Sequence, residues 1–230
     1  MDLSVSADAM TELAGQIRPR KPFRNLPSRP LAALHVSQQT DTFTFGTDPA
    51  FVTRRWRDHY WRSLGGWQRL LMAAGAWLDV VFDDHLTLDR LRPYPHLFAP
   101  LSVALSAAQV EVLRQYVEQG GPLHAGRWFA AQDEWGFPTG RRSLPAGLGP
   151  DEPFPSFDQL AARLAESPSL AGPTGADTNR TTENTEGAAP RVMPLGDGQV
   201  IRFGADAGTA FRDRPTRPAV ETLQRLLGRD

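Results

Sequence analysis

The chain contains no cysteine, which removes disulfides, thiolate metal ligands and every mechanism that begins with a cysteine nucleophile. It is nearly without lysine as well: Lys21 stands alone, and arginine carries the rest of the positive charge. The 25 basic and 26 acidic residues leave a formal net charge of -1. No global field exists to hold a polyanion or an anionic membrane, so neither nucleic acid nor a membrane is an expected partner. No stretch approaches the roughly 18 apolar residues that a spanning helix needs. The N-terminus, MDLSVSADAM, has no apolar signal core, and the reading is a soluble, cytoplasmic protein. Two catalytic signatures are missing too. No G-x-S-x-G occurs to display a serine on a tight strand-to-helix turn, and no H-E-x-x-H occurs to hold zinc. At 230 residues the chain can bury a real core but is too short for an eight-fold barrel with anything attached.

What is present is an alternation of short apolar runs and amphipathic stretches. LAALHVS from Leu31 reads as a buried parallel strand whose carboxyl end opens into a loop. Trp56, Tyr60, Leu64, Trp67, Leu71 and Ala74 recur at spacings of three and four, one stripe of a long helix that Gly75 ends. WLDVVFDD is the second strand, Thr87 caps a short helix, PHLFAPL is the third strand, and Ser106 caps a helix over 107–119 stopped by Gly120 and Gly121. PLHAGRWFA is the fourth strand. Gly-Asp-Gly centres a hairpin within RVMPLGDGQVIRFG, and a last helix carries Pro218 in its first turn. This pattern predicts an α/β fold, a doubly wound and mainly parallel sheet of the flavodoxin-like or class I glutamine amidotransferase-like kind, with a C-terminal β-hairpin and helix. Residues 1–30 read as a Ser6-capped helix and a proline-rich connector. Residues 31–230 read as the α/β domain, with a helix from about Phe157 and a flexible loop at about 168–190.

In such sheets ligands bind at the carboxyl ends of the strands, where strand order reverses. That rim collects Ser37 and Gln38, Asp83 and Asp84, Pro100 and Ser102, and Arg127 with Trp128. It is the expected pocket, and its candidate ligand-binding residues are Gln38, Asp83, Arg127, Asp133 and Glu134. A nucleophile would be expected on the turn after the fourth strand, but HAGRWFAA offers Arg127 there, and a guanidinium cannot attack a carbonyl. No catalytic residue is assigned. Paired acids such as Asp83 with Glu134 could in principle cleave a glycoside, although loop acids more often cap helices or pair with arginines. The loop FDDH could bind a metal, but turn chemistry is the commoner use of such residues. No metal or cofactor is expected. Trp61 lies off the long helix's buried stripe and is flanked by Arg57 and Arg62. These three are the candidate interface residues, with burial of Trp61 under a loop as the other reading.

The stretch YPHLFAPLSVALSAAQVEVLRQYVEQGGPLHAGRWFAAQDEWG resembles the trimerisation domain of family 42 β-galactosidases and related glycosyl hydrolases, itself similar to class I glutamine amidotransferases. The likeness is carried by order: Pro100 ending a strand, Ser106 capping a helix, Tyr116-Val117 before Gly120-Gly121, a strand from Leu123, then Asp133-Glu134 with Gly136. It extends to GGWQRLLMAAGAWLDVVFDD upstream and to the hairpin downstream. The resemblance implies an ancestral amidotransferase cysteine near Gly126 and Arg127, where none stands, so glutaminase activity does not carry over. It also implies that sugar-cleaving carboxylates belong to a separate N-terminal barrel that this chain lacks. The expectation is a non-catalytic module. Its partner would be itself, as a homo-oligomer with a trimer among the options, or a glycoside hydrolase barrel. The alternative is a small carbohydrate-binding protein or hydrolase using the rim.

Overall fold

A computed structural model describes residues 30–44, 51–140, 144, 148–151, 190–203 and 207–228, with backbone alone at 44 and 51–59. The helix expected near Ser6, the helix expected from Phe157 and the loop expected at 168–190 lie outside the described residues.

Among the described residues six strands form one sheet in the order β2-β1-β3-β4-β6-β5. They are β1 (Ala32–Val36), β2 (Leu78–Phe82), β3 (His96–Ala99), β4 (Leu123–Gly126), β5 (Arg191–Leu195) and β6 (Gly198–Phe203). β1 pairs in parallel with β2 on one side and β3 on the other, β3 with β4, and β4 with β6. Among the described strands only β5 runs antiparallel, as the outer arm of the expected hairpin. The chain leaves β1 towards β2 and then returns to β3 across β1, so the strand order reverses between β1 and β3.

The strands alternate as a two-sided sheet requires. Ala32, Leu34 and Phe98 face one core cluster, whereas Ala33, Leu97 and Ala99 face the other. The first cluster is closed by α1 (Phe51–Ala73), α4 (Ala207–Asp213) and α5 (Arg217–Leu226); the second is closed by α3 (Ala107–Glu118), with Leu91 of the one-turn α2 (Leu88–Leu91). Tyr60, Leu64, Trp67 and Leu71 of α1, with Ala74 just past its end, are all buried, which bears out this part of the stripe; the side chain of Trp56 lies outside the described residues. Each large side chain removed from water in this way contributes on the order of 2 kcal/mol. Ser106 completes a capping box on α3, its hydroxyl accepting from Gln109 N while Gln109 Oε1 accepts from Ser106 N.

One element has no counterpart in the sequence reading. α4 is only seven residues long and lies against α1 at a contact between glycines: a Cβ on Gly66 would sit 1.8 Å from the carbonyl oxygen of Gly208. Two side-chain-free positions leave no periodic apolar signal. The buried guanidinium of Arg202, on β6, donates to the carbonyls of Gly126 and Gly149 and so ties the hairpin to the end of β4. Burial pushes its pKa down to about 10, against the opposing pull of Asp151.

Candidate functional site

The reversal between β1 and β3 brings three side chains into a relay. His35, the penultimate residue of β1, places Nδ1 2.6 Å from Ser102 Oγ and Nε2 3.1 Å from Asp83 Oδ1. Ser102 lies in the loop that follows β3, and Asp83 opens the 3-10 turn that follows β2. A carboxylate only accepts. In the neutral tautomer that matches this arrangement, Nε2–H donates to Asp83 and the Ser102 hydroxyl donates to Nδ1. The order hydroxyl, imidazole, carboxylate is that of a hydrolytic triad.

The surroundings bury this relay and add further hydrogen bonds to it. Ser102, His35 and Asp83 are all buried. The second carboxylate oxygen of Asp83 accepts from the backbone N–H of Gln39 at 2.9 Å and from Ser37 Oγ at 3.5 Å. The amides of Val103 and Ala104 follow the serine and would be natural oxyanion donors, but both point at Thr40 Oγ1, at 3.1 and 2.9 Å. Tyr60 closes the base by donating its hydroxyl to Ser37 O. Burial, and then the carboxylates of Asp41 and Asp83, push this phenol's pKa upward. The crevice expected at the reversal point is thus occupied by the protein's own side chains, with the hydroxyls of Ser37, Thr40 and Ser102 and the amides of Gln39, Val103 and Ala104 hydrogen-bonded within it. A cavity of about 240 Å³ lies at the opposite end of the sheet, between Arg92, Tyr94, Tyr116 and Gly120 ahead of β3 and β4. That cavity lies away from the rim on which the candidate residues stand.

The five rim candidates separate. Asp83 is interred as described. Gln38 is exposed on the turn after β1. Arg127 is half-buried with its guanidinium 4.5 Å from the centre of the Trp128 ring. Asp133 folds its own turn: Oδ1 accepts from the backbone N–H groups of Trp135 and Phe137 at 3.0 and 2.9 Å, and its own N–H donates to Phe137 O. Glu134 is half-buried beside it. That turn turns two aromatics outward, Trp135 at 63% and Phe137 at 67% exposure, with Trp135 edge-to-face on Phe43 at 5.6 Å. The sequence reading had placed Ser37, Asp83 and Ser102 on one rim but missed His35. A single histidine in an apolar strand carries no spacing signal, and its partners lie 48 and 67 residues away.

The turn after β4, with Arg127 and Trp128, carries no serine, threonine or cysteine between Gly126 and Ala131. Its unusual position is Ala130, a buried non-glycine residue at φ 53° whose N–H donates to Ser102 O. Among the described residues no group of three or more histidines, acids or cysteines could hold a metal, and no helix is long and apolar enough to cross a membrane. Of the candidate interface residues, Trp61 is 50% exposed. Arg62 pairs with Asp213 at 2.9 Å, and the side chain of Arg57 lies outside the described residues.

No family model matches the chain, and no curated protein matches it. Solved structures share its fold. Gan42B, a GH42 beta-galactosidase from G. stearothermophilus, matches with a TM-score of 0.50 at 16% identity over 88% of this chain and 30% of that chain. A polyextremophilic beta-galactosidase from the Antarctic haloarchaeon Halorubrum lacusprofundi matches at 0.48 and 16% identity, over 86% of this chain and 30% of that one. The exo-beta-1,4-mannosidase Op5Man5 from Opitutaceae bacterium strain TAV5 matches at 0.46 and 17% identity, over 92% and 38%. At these identities the likeness is one of fold. The chain spans 30% to 38% of the length of these solved chains.

Proposed function

We propose that this chain is a non-catalytic assembly module that associates with itself or with a glycoside hydrolase. The observation that carries the reading is an inversion of what an active site needs. The groups able to do chemistry at the strand reversal are buried and hydrogen-bonded to the protein, while several large apolar side chains face solvent. The fold likeness to Gan42B, described as a GH42 beta-galactosidase, supports a glycoside hydrolase as the class of partner. Size-exclusion chromatography with light scattering, alone and with a GH42 hydrolase barrel added, tests it. Self-association or a stable complex is expected; a strict monomer that binds no barrel overturns the reading.

A second reading is favoured by one observation. The aromatic turn of Trp135 and Phe137, with Gln38, Arg127 and Glu134 on the same rim, offers ring faces and hydrogen-bonding groups of the kind a pyranose uses. This reading predicts millimolar or tighter sugar binding by calorimetry, lost in Trp135→Ala. Turnover of a chromogenic galactoside that disappears in Glu134→Gln would place it first.

A further inference from the structure

Five of the large apolar side chains left exposed lie on one flank of the molecule. On α1, Trp61 and Met72 are eleven residues apart and therefore share a side of the helix, with Gln68 between them. α4 packs on α1 at Ser63 and Gly66, roughly 150° away around the helix by the same geometry. α4 follows β6, towards the far side of the sheet, so Trp61 and Met72 are turned to the opposite side, where β2 is the edge strand among the described residues. β2 supplies the rest. Leu78 packs into the α1 core cluster, and Val80 and Phe82 share its face at alternate positions but stay exposed. Trp77, 64% exposed, stands at the strand's entrance.

The two edges of the sheet differ in a telling way. β5 is blunted by Arg191 and by Pro194, a residue that cannot donate to a further strand. β2, with the sequence LDVVF, has no proline, glycine, lysine or arginine, and its one charge is taken up by Tyr94, whose hydroxyl donates to Asp79 Oδ2 at 2.9 Å. We infer that the β2 edge and the adjoining flank of α1 dock a second copy of this chain, pairing β2 antiparallel with itself about a twofold axis at Val80. This deepens the assembly reading and rests on it.

The occupant follows from the pattern. With the axis at Val80, Leu78 meets Phe82 of the partner subunit, and Val80 meets Val80 of the partner subunit. The apolar row of one face then runs unbroken across the junction, while Asp79 falls opposite Val81 of the partner subunit and away from its own equivalent. A twofold contact uses one patch twice, and Trp61, Met72 and Trp77 extend that patch beside the strand. A net charge of -1 per chain puts no appreciable repulsion between copies.

The absence of cysteine makes the test direct, because Val80→Cys carries a single thiol. The twofold places its β-carbons roughly 5 Å apart across the pair, so mild oxidation is expected to give a covalent dimer, while Val192→Cys on the β5 edge gives none. By light scattering the unmodified chain is expected to be a dimer. Val80→Lys is expected to raise its dissociation constant on the order of 100-fold, the effect of facing two like charges across a pairing site, with an unchanged circular dichroism spectrum. An oligomer insensitive to Val80→Lys overturns the β2 interface and leaves the assembly reading standing. A monomer whose thiol at position 80 is shielded from a maleimide means that residues of the same chain cover the edge, and it overturns the inference. A monomer with a reactive thiol there overturns it equally; if that monomer binds no hydrolase barrel, the assembly reading falls as well.

Discussion

Ser102 and His124 illustrate how a polar side chain inside this protein is used. Removing the Ser102 hydroxyl leaves the buried His35 Nδ1 without this partner. Ser102→Ala is therefore expected to cost about 1–3 kcal/mol in urea unfolding. Because the hydroxyl is covered and its neighbouring amides are held by Thr40, a fluorophosphonate ester is expected to leave the native chain unlabelled; labelling at Ser102 would reveal an open catalytic centre. His124 lies on β4, level with Phe98 of β3 and Leu34 of β1. Its ring stacks on Phe98 at 4.0 Å, and its Nε2 is 3.1 Å from Nδ1 of His96. Burial, and then the proximity of His96, hold its pKa well below 6.5, and burial lowers that of His96 as well. The folded state thus refuses protons that the unfolded chain accepts near pH 6.5. This contribution is complete above that pH and is lost as the pH falls from there through the folded-state values, at about 1.4 kcal/mol per pH unit for each proton refused. His124→Phe is expected to flatten the slope of stability between pH 7 and 5 measured by chemical denaturation; an unchanged slope would refute the assignment.

At the level of elements, α1 is secured by its stripe and α3 by its capping box, and both were legible as spacing. The docking of α4 on α1 rests on something else. At Gly208 an added Cβ would lie 2.3 Å from Ser63 O and 2.4 Å from the Trp67 ring, so the helices could not keep their separation. Gly208→Ala is expected to lose at least about 1–3 kcal/mol through this overpacking. Gly140→Ala, where an added Cβ meets nothing within 4 Å, is expected to stay within about 0.5 kcal/mol of the parent. Equal melting temperatures for the two variants would mean that the glycine contact is not what holds α4.

Across the whole molecule, the hairpin is joined to the sheet by β6 and locked by Arg202, which reaches the end of β4 and the segment at Gly149. Arg202→Met is expected to cost about 2–4 kcal/mol, because two carbonyls lose a charged donor in the interior. It should also speed proteolysis beyond Gly126, read by limited trypsinolysis and mass spectrometry. A variant as protease-resistant as the parent would remove Arg202 from this role.

The sequence by itself determined the architecture that depends on neighbours along the chain. Short apolar runs and period-3.6 patterning, the Ser106 and Thr87 caps, the stops at Gly75 and Gly120, and the Gly-Asp-Gly turn are local, and each reappears where it was expected. The missing cysteine also settled in advance which chemistry the turn after β4 lacks. Only the tertiary structure decided what meets across distance. Examples are His35 between Ser102 and Asp83, Thr40 against the amides after Ser102, Gly66 against Gly208, and the apolar row on β2 at the edge of the described sheet. Contacts between residues tens of positions apart follow from strand order and helix side, and these emerge only when the core closes.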